Sequence, residues 1–462
     1  MELDFLKVID EKADVIDGAA DYIWDHPETA FTEFQSAAYL CGVLRAEGFT
    51  VEENLAGIGT AFSGRFGSGR PVIGILGEFD ALSGLGQVAG AVEHQPNGQS
   101  CGHGCGHNLL GAGSLAAAIA VKRYLETTGR EGTVIYFGCP GEEGGSGKAF
   151  MARDGIFDCL DAAFCWHPET TTGPNFLSYL ANCQVLYKFD GIASHAGIAP
   201  HLGRSALDAV ELMDSGVNYM REHMIDEARV HYAIVDAGGY APNVVQAHAE
   251  VLYLIRAPHN DQVKELYERV CRIAQGAALM TDTTASHDFI KGCSNVVLNF
   301  TLLEHMQHLM ETMAPPQPTE ADIAFAKELT EKALQGSPDG DAEDPLHYRL
   351  KPYVGQSIPC GGSTDVGDVS WVCPTAQFSA CTLAMGTPGH SWQLTAQGKT
   401  PYAHAVTRYA GKIMAACAVS LMEDPTLLEK ARAEHRSRVG GGYVPPIPKG
   451  VAPRSMESFL KK

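Results

Sequence analysis

The chain has 462 residues, of which 45% are hydrophobic, and it contains 34 Lys and Arg against 55 Asp and Glu. A chain of this length exceeds one ordinary hydrophobic core and predicts two domains, one of which can interrupt the other. The formal net charge of −21 argues against nucleic acid or an anionic membrane surface as a partner.

The sequence predicts neither a membrane span nor an export signal. No apolar run approaches the ~20 residues that a spanning helix requires. The segment from Met1 to Glu28 alternates acidic and apolar residues and lacks the apolar core of a signal peptide. The 13 cysteines are scattered, which is typical of reduced thiols rather than of a disulfide framework. We therefore expect a cytoplasmic protein.

Strand and helix patterns alternate in the first 180 or so residues, which indicates a largely parallel α/β sheet. Helical periodicity covers residues 5–25, 32–48 and 108–129, and buried-strand patterns occupy 71–82, 132–147 with its glycine-rich loop, and 161–168. In such sheets, ligands bind beyond the carboxyl ends of the strands. That edge is where functional side chains are expected.

The pattern changes after Asn182. Three strand patterns, with helices at 203–222 and 260–277, indicate a small α+β insert of residues 183–293. Helical patterns then resume, and a last strand and loop at 376–393 precede a helix at 400–422. We expect an α/β fold in which one domain, formed by residues 1–182 and 294–440, is split by this insert and followed by a Pro/Gly-rich tail at 441–462.

The stretch "GQSCGHGCGHNLLG" at residues 98–111 contains Cys-Gly-His twice. Four interpretations are open: a zinc knot of Cys101, His103, Cys105 and His107, a redox pair, part of a larger site, or a packed glycine loop. A knot would crowd four ligands into seven residues, whereas structural zinc sites draw pairs from separated segments. The C-x3-C spacing also differs from the C-x2-C of redox motifs.

Other chemically active side chains follow the predicted strands. Glu78 and Asp80, the pair Glu142–Glu143, and His167 lie at three strand ends, and His390 lies in the loop after the late strand. Cys, His and Glu together suit zinc, manganese or cobalt. One of two adjacent carboxylates can bind metal while the other acts as a base toward a water acidified by the metal, which is the chemistry of hydrolysis. A solvated acidic loop and a core histidine are the alternative interpretations.

Eight segments resemble the M20 metallopeptidase family, and within it the amidohydrolase branch that acts on N-acyl amino acids and auxin conjugates. In chain order, these segments are "WDHPETAFTEFQSAAYLCGVLRAEGF", "GEFDAL", "GHGCGHNLLGAG", "PGEEGGSGKAFM", "SHAGIAPHLGRSALDAV", "GGYAPNVV", "GSTDVGDVSW" and "GTPGHSW". Asn108 and "EFDAL" stand where much of the branch has "CGHD" and "DMDAL". Both departures are found in one subgroup of the branch.

The resemblance implies a site for two divalent ions, Mn²⁺ or Zn²⁺, in the split domain. Its ligands would be five side chains: Cys105, His107, Glu143, His167 and His390. Asp80 would orient the ligands, and Glu142 would be the general base that later protonates the leaving amine. Cys101 and His103 would then be bystanders.

The resemblance also implies roles for the insert, as a lid and dimerisation domain. His195 would reach the neighbouring subunit's site and stabilise the oxyanion, and Asn243 and Arg256 would bind the substrate's carboxylate. A histidine satisfied by backbone and an arginine in a structural salt bridge are the alternatives for His195 and Arg256.

The implied activity is metal-dependent cleavage of the amide bond of an N-acyl or aminobenzoyl amino acid, such as p-aminobenzoyl-glutamate. A dipeptidase or an auxin-conjugate hydrolase is the alternative within this class. A non-catalytic partner subunit, or a binding protein without turnover, is the alternative outside it. The expected assembly is a homodimer or a heteromer with an A-type subunit.

Overall fold

The computed structural model describes residues 3–455 and 458–459, so the extreme ends of the predicted split domain and of the predicted tail lie outside the described residues. The described chain divides into two compact units. The larger unit contains the residues up to Leu177 together with Val297–Ile358 and Val369–Tyr443. The smaller unit contains Ser178–Val296, Pro359–Asp368 and the described residues from Val444 onward.

The strands and helices of the described residues are numbered in chain order. The strands are β1 Thr50–Glu53, β2 Phe62–Ser68, β3 Val72–Glu78, β4 Leu82–Ser83, β5 Cys101–Gly102, β6 Gly132–Cys139, β7 Ala162–Glu169, β8 Thr171–Pro174, β9 Leu177–Ser178, β10 Ala181–Asp190, β11 Arg229–Asp236, β12 His248–Ala257, β13 Thr284–Cys293, β14 His347–Leu350, β15 Ile358–Pro359 and β16 Thr375–Cys381. The helices are α1 Lys7–Glu11, α2 Ala13–Asp25, α3 Phe34–Ala46, α4 His107–Thr128, α5 Gly147–Arg153, α6 Ala206–Met220, α7 Asn260–Thr281, α8 Phe300–Thr312, α9 Glu320–Ala333, α10 Val366–Val372, α11 Trp392–Gln397, α12 Pro401–Glu423 and α13 Pro425–Val439.

The larger unit is built on an eight-stranded sheet of order β1-β2-β6-β3-β7-β16-β8-β14. Its centre, β6-β3-β7-β16, is parallel throughout, whereas β1–β2, β2–β6 and β16–β8 pair antiparallel. Every residue of β3 and β6 is buried, which explains their continuous apolar runs. The predicted, mostly parallel α/β sheet is therefore confirmed.

Helix α4 packs against β3 and α12, and every residue from His107 to Val121 is buried. Its small residues permit this close approach. A Cβ added at Gly111 would lie 2.7 Å from the carbonyl oxygen of Glu78, closer than real contacts allow. The helix ends at Gly129, whose φ of 62° is the left-handed conformation of a C-terminal glycine, as the sequence predicts.

The smaller unit contains a four-stranded antiparallel sheet of order β11-β12-β10-β13. Alternate residues of β10 and β12 pack with α6 and α7 in one hydrophobic core on one face of this sheet, among them Val185, Tyr187, Val251 and Tyr253. The opposite face carries the polar members of the same strands, such as Lys188 and Glu250. This arrangement is the α+β insert that the sequence predicts.

The smaller unit also includes a segment distant in sequence, Pro359–Asp368. Asp368 accepts hydrogen bonds from the backbone N–H and the hydroxyl of Ser294, at 2.9 and 2.8 Å. Leu180 donates its N–H to the carbonyl of Gly362 at 2.9 Å. The domain boundaries predicted from the sequence place this segment in the split domain instead. The difference arises because hydrogen bonds between distant residues leave no local sequence pattern.

Across residues 3–455 and 458–459, no helix combines the length and apolar character needed to cross a membrane.

Candidate metal centre

The carboxyl edge of the parallel strands in the larger unit carries the candidate site. Asp80 follows β3, Glu142 and Glu143 follow β6, and His167 is near the end of β7. The remaining candidate side chains come from two other places. One is the loop before α4 together with the first residue of that helix, and the other is the loop between β16 and α11. This is the edge at which ligands bind in such sheets.

Three overlapping groups of side chains at this edge could each hold a metal ion. They are Cys105 with His107 and His167, Cys105 with Glu143 and His390, and His107 with Glu142 and Glu143. Within each group the donor atoms all lie within 4.8 Å of one another. The structure thus brings together all five sequence-predicted ligands and the predicted base.

Asp80 links two of these side chains with one carboxylate. Its Oδ1 lies 2.9 Å from Nδ1 of His107, and its Oδ2 accepts the backbone N–H of Glu143 at 2.8 Å. The side chain is buried, so water does not compete for these bonds. With Nδ1 of His107 held by Asp80, Nε2 is the nitrogen turned to the other donors. This is the geometry of a carboxylate that orients a metal-binding histidine.

Cys105 and His167 lie side by side. Sγ of Cys105 is 3.5 Å from Nε2 of His167, while Nδ1 of the same ring donates to the carbonyl of Pro168 at 2.8 Å. Between Cys105 and His107 the chain passes through Gly106, whose φ of 75° is left-handed. That conformation, which glycine adopts without strain, turns both flanking side chains into one site.

His390 approaches from the loop after β16. It has a φ of 55°, rare for a residue with a side chain, and its N–H donates to the carbonyl of Gly104 at 2.9 Å. Its Nε2 lies 3.1 Å from Oε1 of Glu143. The imidazole is 58% exposed, which makes it more open than the side chains of His107, Glu143 and His167.

Neighbouring groups shift the pKa values of two candidate ligands in opposite directions. Burial alone would raise the pKa of Glu143, but the interaction with His390 and the charge of His107 outweigh it and lower this pKa to about 2. Burial and the nearby Glu143 carboxylate raise the pKa of the Cys105 thiol well above its usual value. A bound divalent cation reverses this preference and favours the thiolate.

Two buried atoms test whether the residues fit a metal. Among the described residues, Nε2 of His107 and Oε1 of Glu143 meet no hydrogen-bond criterion, although Glu78 lies 3.3 Å from the first atom and His390 lies 3.1 Å from the second. Unpaired buried polar atoms cost free energy unless a ligand satisfies them. Thiol, imidazole and carboxylate donors suit Zn²⁺ or Mn²⁺. The donor set therefore fits divalent metal.

The structure also contains a buried ion pair next to the site that the sequence analysis did not predict. Lys148 on α5 is fully buried, with Nζ 2.7 Å from Oε1 of Glu78. Oε2 of Glu78 lies 3.3 Å from Nε2 of His107. Burial would raise the pKa of Glu78, but the charges of Lys148 and His107 lower it. A lysine within the apolar helix that follows the glutamate pair is the signal that could have revealed it.

The first Cys-Gly-His copy anchors the loop to the N-terminal segment. Cys101 Sγ donates to the carbonyl of Pro27 at 2.8 Å, and His103 Nε2 donates to the carbonyl of Ile23 at 2.9 Å. Burial lowers the pKa of His103 to about 3, so its ring is neutral. Neither residue belongs to the three candidate groups, which is the geometry expected of bystanders.

Glu33 is a second buried group that sequence analysis missed. One carboxylate oxygen accepts the N–H groups of Phe31 and Gly141, each at 2.9 Å, and the other accepts the Thr60 hydroxyl at 2.8 Å. Gly141 immediately precedes the glutamate pair. Glu33 thus ties the loop before α3 to the loop that carries Glu142 and Glu143.

The three insert residues predicted to act on substrate lie in the smaller unit. His195 is exposed, and its Nδ1 accepts the N–H groups of Gly197 and Ile198 at 3.2 Å. Asn243 is exposed. Arg256 donates to the Ser363 hydroxyl at 3.3 Å, and within the described chain its buried Nε has no partner and it forms no ion pair.

Comparison with known proteins identifies the family. Residues 74–338 match the profile described as peptidase family M20/M25/M40, and this match covers more than half of the chain. The chain belongs to the M20 peptidase family. The resemblance read from the eight sequence segments is therefore confirmed.

Individual relatives of this M20 protein extend the comparison. The B-type subunit of the p-aminobenzoyl-glutamate hydrolase of Escherichia coli is 49% identical over 95% of each chain. The Xaa-Arg dipeptidase of Mus musculus is 28% identical over 93% of this chain and 91% of its own. A solved Bacillus subtilis structure, described as a dinuclear metal-binding peptidase of the M20 family, superposes with a TM-score of 0.57, 17% identity and coverage of 91% and 99%.

Family membership and these hydrolase relatives establish the reaction class. This M20 protein is a metal-dependent hydrolase of amide or peptide bonds.

Proposed function

We propose that this protein cleaves the amide bond of an N-acyl or aminobenzoyl amino acid, with p-aminobenzoyl-glutamate as the first candidate substrate. The observation that supports this chemistry is the convergence of five candidate ligands in three overlapping groups, one of which includes Glu142. These ligands are Cys105, His107, Glu143, His167 and His390. The substrate is proposed from the 49% identity to a hydrolase named for p-aminobenzoyl-glutamate.

The five convergent side chains would hold two divalent ions, Mn²⁺ or Zn²⁺. When bound, these ions would supply Lewis acidity to the attacking water and to the carbonyl oxygen. Asp80 fixes the ring of His107 and the backbone of Glu143, so both ligands keep their geometry.

Glu142 would act as the general base and then as the general acid. Its carboxylate takes a proton from water, the water oxygen bonds to the amide carbon, and the C–N bond breaks as Glu142 returns the proton to the leaving nitrogen. The proton count is then balanced, and the carboxylate is regenerated for the next turnover.

Substrate contacts are proposed for the smaller unit, as a lid and dimerisation domain. His195 accepts two backbone N–H groups at Nδ1, so its proton is on Nε2 and can be donated to an oxyanion. Arg256 has a buried Nε without a partner in the described residues, which leaves a donor for a substrate carboxylate. Asn243 would contact the same end of the substrate.

The assembly and the compartment are also proposals. The E. coli relative is named as one of two kinds of subunit, which supports a heteromer with an A-type subunit as well as a homodimer. Free thiols in all 13 cysteines support a cytoplasmic location, where thiols stay reduced.

The direct test is hydrolysis by the purified chain with added Mn²⁺ or Zn²⁺, alone and with an A-type subunit. The substrate panel contains aminobenzoyl-glutamate, acyl-amino acids, auxin conjugates and dipeptides. We expect the highest kcat/KM for aminobenzoyl-glutamate, and a loss of most of this activity in Glu142→Gln. A preference for dipeptides would favour a dipeptidase, and absence of turnover by the metal-loaded chain, alone and with its partner, would favour a non-catalytic role.

A further inference from the structure

In the insert sheet, one histidine is held between two carboxylates. Nδ1 of His248 lies 2.6 Å from Oδ1 of Asp190, and its Nε2 lies 2.9 Å from Oε1 of Glu250. Asp190 is the last residue of β10 and pairs directly with His248, the first residue of β12. Both ring nitrogens therefore face carboxylate oxygens, which accept hydrogen bonds when ionised. The histidine therefore joins the ends of two neighbouring strands.

Beyond this point the two strands continue as a narrow extension, which we call the arm and define as residues 191–204 and 237–247. Its backbone bonds run from Gly191 to Ala247 at 2.8 Å, and from Val245 to Ser194 and Ala196 to Asn243 at 2.9 Å. His195 pairs with Val244 in an isolated antiparallel bridge. The arm thus carries His195 on one strand and Asn243 on the other.

Further backbone hydrogen bonds tie the arm to its root, with Ile192 and Arg204 exchanging two at 2.9 Å and Ala206 donating to the carbonyl of Gln246 at 2.8 Å. Ile198 is 78% exposed and Tyr240 fully exposed, so side-chain packing contributes little. The side chain of Arg204, which the bridge to Ile192 places at the root, pairs with Asp282 at 2.7 Å. The orientation of the arm therefore depends on how firmly its root is fixed.

Acidic side chains surround His248 on the insert sheet. Asp190 on β10 and Glu250 on β12 contact the ring, and Asp236 on β11 is opposite Glu250. Lys188, the cation opposite Glu250 on β10, is engaged by Asp288 at 2.7 Å. Glu250 is only 3% exposed, so its bond to His248 is shielded from water.

We propose that His248 is a positioning residue, whose bonds to Asp190 and Glu250 fix the root of the arm and so set the positions of His195 and Asn243. The inference rests on the proposed function for the roles of His195 and Asn243. An ordinary ion pair at a strand end would instead stabilise the sheet alone, without affecting the arm or the reaction.

The test compares His248→Gln with His287→Gln. Gln cannot bridge two carboxylates in the same way. His287 is an exposed histidine of the same sheet, bonded to the Tyr267 hydroxyl and remote in sequence from the arm, and it serves as the matched control. Hydrogen exchange of the two arm segments and steady-state kinetics are measured on the full-length, metal-loaded protein, together with the unfolding midpoint.

For His248→Gln we expect faster exchange confined to 191–204 and 237–247, an unchanged midpoint, and a fall in kcat/KM on the order of tenfold to a hundredfold, as displaced catalytic groups cause. His287→Gln should match wild type in all three measurements. Equal exchange and equal kinetics in the two variants would overturn the proposal, as would faster arm exchange with unchanged kinetics.

A second variant guards against misfolding of the first. Asp190→Asn alters a side chain that is 61% exposed, and it should loosen the arm in the same direction. If it folds and leaves arm exchange unchanged, the proposal is wrong. If the wild-type protein hydrolyses no substrate, the proposed function fails, whereas the exchange measurement still decides whether His248 fixes the arm.

Discussion

At the scale of single residues, Asp80 shows how few groups organise the candidate centre. One buried carboxylate orients His107, at the start of α4, and the backbone of Glu143, in the loop after β6. Two candidate ligands from different elements are therefore positioned by the same carboxylate. Changes to Asp80 should disturb both together, whereas changes to Glu142 should leave the ligand geometry intact.

The adjacent glutamates should separate by function. Glu142→Gln should retain metal and lose turnover by about a hundredfold or more, because it removes only the proposed general base. Glu143→Gln should lose metal as well, because a carboxylate ligand becomes a neutral amide. Metal analysis of both purified variants, alongside kcat, is the measurement. Equal metal content with equal residual rates would contradict this division of roles.

The two Cys-Gly-His copies supply a matched pair of thiols. Cys105→Ser should weaken metal binding and abolish activity, because its Sγ is within the donor cluster. Cys101→Ser should be almost silent, because its thiol bonds the carbonyl of Pro27 instead. Metal titration of both variants checks the contrast. If Cys101→Ser lost metal as severely as Cys105→Ser, a zinc knot of the four Cys and His residues would be the better interpretation.

At the scale of elements, Glu33 couples two loops through a titratable group. Burial, followed by the charge of Asp80, raises the pKa of Glu33 to about 8 from an ordinary value of 4.5. The folded protein therefore holds this proton to higher pH than the unfolded chain. Between those two values the folded state binds more protons, so its stability decreases as pH rises.

Glu33→Gln removes this dependence, because an amide cannot lose the proton and can still bond Thr60 and Gly141. At pH 5 the metal-free variant should match wild type, and at pH 9 it should be more stable by at least about 1 kcal/mol. Urea unfolding at both values measures this, with the exposed Glu52→Gln as control. A stability difference that is the same at both pH values would refute the coupling.

The elements that the sequence predicts well are those whose burial is uniform. Strand β3 is buried throughout and helix α4 is buried over its first 15 residues, so their apolar and small residues leave a clear pattern. Helix α13 lacks such a pattern, because a mostly polar surface surrounds three buried residues, Leu428, Ala431 and His435. Its contact with α8 is a tertiary effect that the local pattern does not contain.

The candidate site also combines residues that the sequence order predicts with residues that only tertiary burial reveals. The side chains after β3, β6 and β7 meet because parallel strands share a carboxyl edge, which sequence order reveals. Lys148 and Glu33 matter because they are buried beside that edge, and burial of a charged residue is not visible in one sequence. The joining of Asp368 to Ser294 is likewise a long-range bond without local signal.

At the scale of the whole molecule, mixing two inactive variants tests whether one subunit contributes a side chain to its neighbour's site. His195→Ala and Glu142→Gln should each be nearly inactive alone. If His195 serves the neighbouring subunit, a mixed dimer contains one intact site, and equal mixing should restore roughly a quarter of wild-type activity. The measurement is activity after co-assembly, with dimer composition verified by mass.

The control for mixing is Cys105→Ser with Glu142→Gln. Both changes lie in the larger unit, so every site of that mixed dimer is defective and no recovery is expected. Absence of recovery in a verified His195→Ala/Glu142→Gln dimer would exclude a contribution from the neighbouring chain.

The larger unit is assembled from segments on either side of the insert, and this has a consequence for biosynthesis. His390 leaves the ribosome 223 residues after His167, since 390 − 167 = 223. At translation rates of about 5–20 residues per second, the first four proposed ligands wait roughly 10–45 s for the fifth. Throughout that interval Cys105 is a thiol without its complete set of neighbours, open to oxidation or to thiophilic ions such as Cu⁺. The complete set of proposed ligands therefore exists only after His390 has been synthesised, so we expect the cell's metal and redox state during that interval to affect how much of the new protein becomes active.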